Sequence, residues 1–244
     1  MRLTFLAASL LVAASPAFAG DFNVRDYGGK PDGTTMNTAA IQKAIDAAAK
    51  EAGTVVFPAG TYLTGSIFVK SGVTLKLDKG VTLLGSRDIK DYPLMPTRIA
   101  GIEMTWRAAL VNIYRQKNAA IVGEGTIDGD GKVFWDYYWA LRKEYQPRGL
   151  RWASDYDARR PRLVQVFDSS GVKVGGGLLM RRAGFWTVHV CYSTDVTVDG
   201  LTIRNNEEVV GHTLRNVEGI TDKAAPKIEA ILAHVEEVTR EINK

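Results

Sequence analysis

The chain has 244 residues, enough for one sizeable domain or a domain with a small appendage. With 45% apolar and 24% charged residues it excludes a disordered polypeptide. A formal charge of +4 is too small to argue for nucleic acid, and a single cysteine, Cys191, excludes an internal disulfide.

Residues 1–19, "MRLTFLAASLLVAASPAFA", combine a basic start, a short apolar run and a small-x-small ending. They read as a secretory signal peptide cleaved after Ala19, and the run is shorter than the roughly 20 residues of a membrane anchor. The expectation is an exported protein, periplasmic or secreted, with no membrane partner. "NTAAIQKAIDAAAKEAG" follows, with Ala40, Ile41, Ala44, Ile45 and Ala48 at helical spacing, Asn37 as N-cap and Gly53 as stop. Strands are expected at "TVVFPAG" and "GTYLTGSIFV".

Four segments then repeat one design: "FVKSGVTLKL", "YRQKNAAIVG", "FDSSGVKVGG" and "CYSTDVTVDG". Gly72, Asn118, Gly171 and Asp195 fall at one turn position, and alternating apolar residues follow each. Period-2 alternation predicts strands, and recurring short strands with turns predict a parallel β-solenoid of about six coils. An antiparallel sandwich is the rival, but Asn-Gly hairpin signals are scarce. Steps of 46 and 53 residues between repeats read as two coils, and as two coils plus an insertion. The leading helix is expected to cap the bare first coil.

Within the insertion, Trp135 to Tyr156 hold three of the five tryptophans and four of the nine tyrosines. Aromatic faces pack on sugars and Arg forks bind carboxylates, which makes Arg148, Arg151 and Trp152 candidate ligand residues. The same stretch also reads as a helix whose Phe134, Tyr138 and Leu141 pack on the solenoid. In "RRAGFWTVHV", Arg182 and His189 are the further candidates, with His189 on the strand face opposite Val188 and Val190. Cys191 is expected to be a buried thiol. Asp128 and Asp130 are expected as turn residues, and Asp168, Asp195 and Asp199 likewise as structural. Residues 207–244 break the pattern: "APKIEAILAHVEEVTREINK" predicts a C-terminal amphipathic helix. It reads either as foreign to the solenoid or as a cover for its last coil.

The segments "FNVRDYGGKPDGTTMNTAAIQKAIDAAAKEAGTVVFPAGTYLTG", "AIVGEGTIDGDGKVFW" and "RRAGFWTVHVCYSTDVTVDGLTIRN" resemble glycoside hydrolase family 28, the polygalacturonases. The resemblance runs from Phe22 to about Asn206. It implies an all-β, right-handed parallel β-helix over 20–206 and an anionic polysaccharide, galacturonan, as partner. It implies inverting hydrolysis with no metal and no other cofactor, and a monomer when complete. The family's Asn-Thr-Asp, Asp-Asp, Gly-His-Gly and Arg-Ile-Lys motifs do not occur in the 244 residues, and Gly211-His212-Thr213 is read as chance. No catalytic residue is therefore assigned, and the expectation is a truncated, inactive polygalacturonase-like chain. A non-catalytic polysaccharide-binding β-helix and a calcium-dependent pectate lyase are the alternatives.

Overall fold

A computed structural model of the chain describes residues 20–205. The expected signal peptide and the helix expected within 207–244 lie outside the described residues.

The strands wind in coils. The first coil holds β1 (Asp21–Asn23) and β2 (Asp32–Met36), followed by helix α1 (Thr38–Ala48). The second holds β3 (Thr54–Val56), β4 (Gly60–Thr64) and β5 (Ile67–Val69). In the third, β6 (Thr74–Leu77) and β7 (Val81–Gly85) are followed by a hairpin, β8 (Leu94–Ile99) and β9 (Ile102–Arg107), before β10 (Val111–Tyr114). In the fourth, β11 (Ala120–Gly123) and β12 (Thr126–Asp128) are followed by helices α2 (Lys132–Tyr145) and α3 (Ala153–Ala158) before β13 (Val164–Phe167). The fifth is β14 (Ser170–Gly175), β15 (Leu179–Arg181) and β16 (Val188–Cys191); β17 (Thr194–Asp199) and β18 (Thr202–Arg204) begin the sixth.

Corresponding strands stack into three parallel sheets. The first runs β1-β3-β6-β11-β14-β17 and the second β2-β4-β7-β12-β15-β18. The third runs β5-β10-β13-β16. The repeat position read from the sequence has a backbone cause. Gly72, Asn118, Gly171 and Asp195 all take left-handed φ, at 76°, 53°, 65° and 52°. Only glycine, and to a lesser degree Asn and Asp, adopt that region at small cost. Each such turn delivers the next side chain inward, so Val73, Ala119 and Val172 are buried in one continuous core with Leu75, Ile121 and Val174.

The long steps are not pairs of coils. Thr74 pairs directly with Ala120, and Ala120 with Lys173. Each step is one coil enlarged by an insertion, the hairpin in one case and the two helices in the other. Both leave the solenoid between the second and third sheets, where loop length is unconstrained by strand pairing. Within α1, Ile41, Ala44, Ile45 and Ala48 are fully buried as the 3-4 spacing predicts. Asn37 makes no side-chain cap bond. It accepts from the Lys30 amide and donates to the Lys30 and Thr35 carbonyls instead, tying the β2 turn to the helix start. In α2, Phe134 and Tyr138 are the buried residues. Among the described residues no helix is long and apolar enough to cross a membrane.

Candidate functional site

The third sheet directs alternate rows of side chains to its two faces, and on the outer face Asn112 and Gln165 are themselves fully buried while Phe68 and His189 are partly exposed. Ile67, Val111 and Val164 are in register and fully buried. Phe68, Asn112, Gln165 and His189 form the next row, and Tyr114, Phe167 and Cys191 the one after. Tyr114 stacks on Phe167 at 5.0 Å, and Tyr192 meets Phe167 edge-on at 5.4 Å. The β8–β9 hairpin stands beside this surface: the Tyr114 hydroxyl donates to the Pro96 carbonyl. Tyr192 accepts from Arg98 and donates to Glu103. A cleft of about 460 Å³ lies between hairpin and sheet, lined by Pro96, Thr97, Met104, Tyr114, Phe167 and Tyr192, with Glu103, Arg115 and Asp168 at its polar side.

Arg162, 1% exposed, lies between the hairpin and His189 of the third sheet. It donates to His189 Nδ1 at 3.0 Å, to Thr97 Oγ1 at 3.2 Å and to the Arg107 carbonyl at 3.4 Å. Thr97 in turn donates to Gln165 Oε1 at 3.3 Å. Burial lowers the Arg162 pKa to about 10, so the guanidinium stays charged at neutral pH. Burial, and then the Arg162 charge, press the His189 imidazole down to about 4. A run of rings leads to this histidine: Trp106 on Phe185 at 5.8 Å, Phe185 on Trp186 at 4.5 Å, and Trp186 on His189 at 5.0 Å.

His189 is thus on the outward face that strand alternation predicts. Cys191 shares that face and is partly exposed, not buried; its apolar neighbours in sequence point to the other side. Arg182 lies elsewhere, immediately after β15 in the second sheet. Its Nε and Nη2 donate to Asp128 at 2.7 Å each, and its Nη1 reaches Asp130 at 2.9 Å. Arg181 adds a 2.8 Å bond to Asp128, and Arg87 a 2.6 Å bond to Asp130. Asp128 does accept from a turn amide, that of Asp130, but both aspartates chiefly hold arginines. Gly129 and Gly131 are required here: a Cβ on either would lie 2.6 Å from the Arg182 carbonyl oxygen.

Arg148, Arg151 and Trp152 lie between α2 and α3, on the far part of the insertion. Arg148 pairs with Glu144 at 3.3 Å, and Arg151 lies over the Trp152 ring at 4.8 Å. Trp152 is 68% exposed. Among the described residues no hydrogen bond, ion pair or ring contact joins this trio to His189. Asp168 pairs with Arg115 at 3.4 Å at the cleft edge. Among the described residues no group of three or more His, Cys, Asp or Glu side chains converges where a metal ion could sit. Arg162, Thr97, Gln165 and the Tyr114–Phe167–Tyr192 cluster were not legible as a site. Their one signal is Arg162, a charged residue set directly before the apolar strand "LVQVF".

Residues 22–132 match the family model described as rhamnogalacturonase A/epimerase, pectate lyase-like. An exo-poly-alpha-D-galacturonosidase of Dickeya chrysanthemi is 44% identical over 117 residues, covering 45% of this chain and 19% of that protein. A probable polygalacturonase of Vitis vinifera is 30% identical over 188 residues, covering 73% of this chain and 35% of that protein. The family 28 exopolygalacturonase of Yersinia enterocolitica superposes with a TM-score of 0.66 at 26% identity, over 79% of this chain and 40% of that one. The chain therefore spans about a fifth to a third of the length of these two sequence relatives. Sequence and fold together make it a pectin-lyase-like protein related to the polygalacturonases of glycoside hydrolase family 28.

Proposed function

We propose that the chain is a galacturonan-binding β-helix of the polygalacturonase type, and that the polysaccharide lies along the outer face of the third sheet. One observation carries the reading: that face joins an aromatic cleft to a histidine hydrogen-bonded to a buried cation. Stacked rings suit the apolar faces of pyranoses, and hydrogen-bond donors near a positive charge suit uronate carboxylates. The relatives named for galacturonan hydrolysis support the same ligand. The reading includes right-handed winding, α1 as the cover of the first coil, export to the periplasm or medium, and a monomer in solution. Arg148, Arg151 and Trp152 supply an outlying arm to the same polymer, while Arg182 holds the base of the helical insertion through Asp128 and Asp130.

The 244-residue polypeptide binds without cleaving. Inverting hydrolysis needs one carboxyl to protonate the leaving oxygen and another, roughly 6.5–9.5 Å away, to activate water. The sequence contains neither Asn-Thr-Asp nor Asp-Asp, and Asp128 and Asp130 are committed to arginines. Titration calorimetry with trigalacturonate, run beside a reducing-end assay on polygalacturonate, tests both parts. Saturable heat without new reducing ends is the expected result. Absence of binding overturns the ligand, and new reducing ends overturn the inactivity.

A further inference from the structure

Arg162 is a buried cation whose contacts are a histidine, a threonine hydroxyl and a backbone carbonyl. None of these carries a negative charge, and among the described residues its Nε has no hydrogen-bond partner. Its neighbour Arg160 differs, being paired with Asp155 at 3.0 Å. A buried charge left without an opposite charge is costly, and such groups are ordinarily paired. The fold tolerates this one beside a partly exposed histidine on the face of the third sheet.

The chemistry of the pair fixes its hydrogens. A guanidinium only donates. The 3.0 Å contact therefore makes His189 Nδ1 the acceptor, and the ring proton must sit on Nε2. Nε2 takes no partner among the described residues, so its N–H is offered outward. Trp186 packs on the ring and restricts its tilt. Gln165, in register with His189, is set in the same way: Thr97 accepts from Arg162, so its hydroxyl hydrogen goes to Gln165 Oε1. Among the described residues, the charged or titratable groups around His189 are Arg162, from the segment before β13, and Cys191 on its own strand. Gln165 from β13, Thr97 from β8 and Trp186 complete the surround without charge.

We propose that Arg162 and His189 form a carboxylate receptor, in which His189 donates Nε2–H to the ligand and Arg162, between the hairpin and His189, supplies the positive charge and holds the tautomer. Arg162 is a positioning residue, since it acts through His189. The low imidazole pKa of about 4 agrees with this, because the ring stays neutral and keeps one defined donor through pH 5–8. This deepens the galacturonan reading and rests on it for the identity of the sugar, but the receptor itself requires only a carboxylate.

Nitrogen-15 NMR of the full chain, with the His189 signals identified by their loss in His189→Gln, tests it. Expected in the free protein are a protonated Nε2, a bare Nδ1 and no titration of His189 between pH 5 and 8. Sodium acetate and trigalacturonate are expected to shift the Nε2–H signal, while fully methyl-esterified trigalacturonate leaves it in place. Arg162→Met is expected to lower trigalacturonate affinity about tenfold or more and to raise the His189 pKa above its wild-type value, while burial still holds it below the ordinary one. Arg162→Lys restores part of both. A proton on Nδ1, titration near 6.5 in the wild type, or unchanged affinity in a folded Arg162→Met overturns the receptor. The wild-type spectra decide even if that variant does not fold. If acetate shifts Nε2–H and trigalacturonate does not, the receptor stands and the galacturonan reading fails. If trigalacturonate binds without moving His189, the reverse holds.

Discussion

At the scale of single residues, Asp128 and His189 both hold their pKa below the ordinary value, and both make stability rise with pH. Burial alone would raise the Asp128 carboxyl, but the Arg182 hydrogen bond, the Asp130 amide and the Arg182 and Arg181 charges outweigh it and hold the group below its ordinary value. Stability from this site is therefore present above about pH 4 and is lost as pH falls through the lowered value. Asp128→Asn is expected to cost about 2 kcal/mol in urea unfolding at pH 7. The figure is held down because Arg181 and Arg182 remain 43% and 39% exposed. His189 is depressed from 6.5 to about 4, so across that window the unfolded chain binds more protons. Stability then rises with pH from about 4 to 6.5 and is flat above, and His189→Gln is expected to flatten that rise. A rise of equal slope in the variant would show that another group causes it.

At the scale of elements, the apolar stripe of α1 and the stacked turns set the folding unit. Ile45→Ala removes a fully buried side chain and is expected to cost about 3 kcal/mol. Gly129→Ala forces a Cβ against the Arg182 carbonyl, at about 1–3 kcal/mol. Joint Arg148→Ala and Arg151→Ala substitution is expected to change stability by less than about 0.5 kcal/mol, since both are exposed, while weakening oligogalacturonate binding severalfold. Unchanged affinity removes the trio from the binding surface. The strands and the α1 face were legible because their causes are local: a left-handed turn at Gly72, Asn118, Gly171 and Asp195, then alternation. Coil count within the long steps was not, because a hairpin or two helices add as many residues as a further coil. The site was legible only at His189. The burial of Arg162 depends on contacts 65 residues back to Thr97 and 27 forward to His189, and no spacing rule encodes them. Arg182 drew notice as a basic residue beside "AGFW", but its two acids lie one coil earlier, at Asp128 and Asp130.

At the scale of the molecule, parallel stacking aligns the outward rows of successive coils. That turns single residues at matching register into a linear surface, which suits a linear polymer. Phe68, Asn112, Gln165 and His189 make one such line, partly exposed at Phe68 and His189 and fully buried at Asn112 and Gln165, and Tyr114, Phe167 and Cys191 make its neighbour. Both insertions leave the solenoid at one corner, and the hairpin walls the cleft at its side. The last described coil exposes Val190, Val198 and Ile203 at 43%, 42% and 53%, as inward-type positions do where no strand among the described residues lies against them. The most direct measurement is calorimetric titration of trigalacturonate into the 244-residue protein and into its His189→Gln variant at pH 7. Saturable binding that weakens at least tenfold in the variant is the predicted result. No binding, or equal affinity in both proteins, would contradict the assignment of the third sheet's outer face as the galacturonan surface.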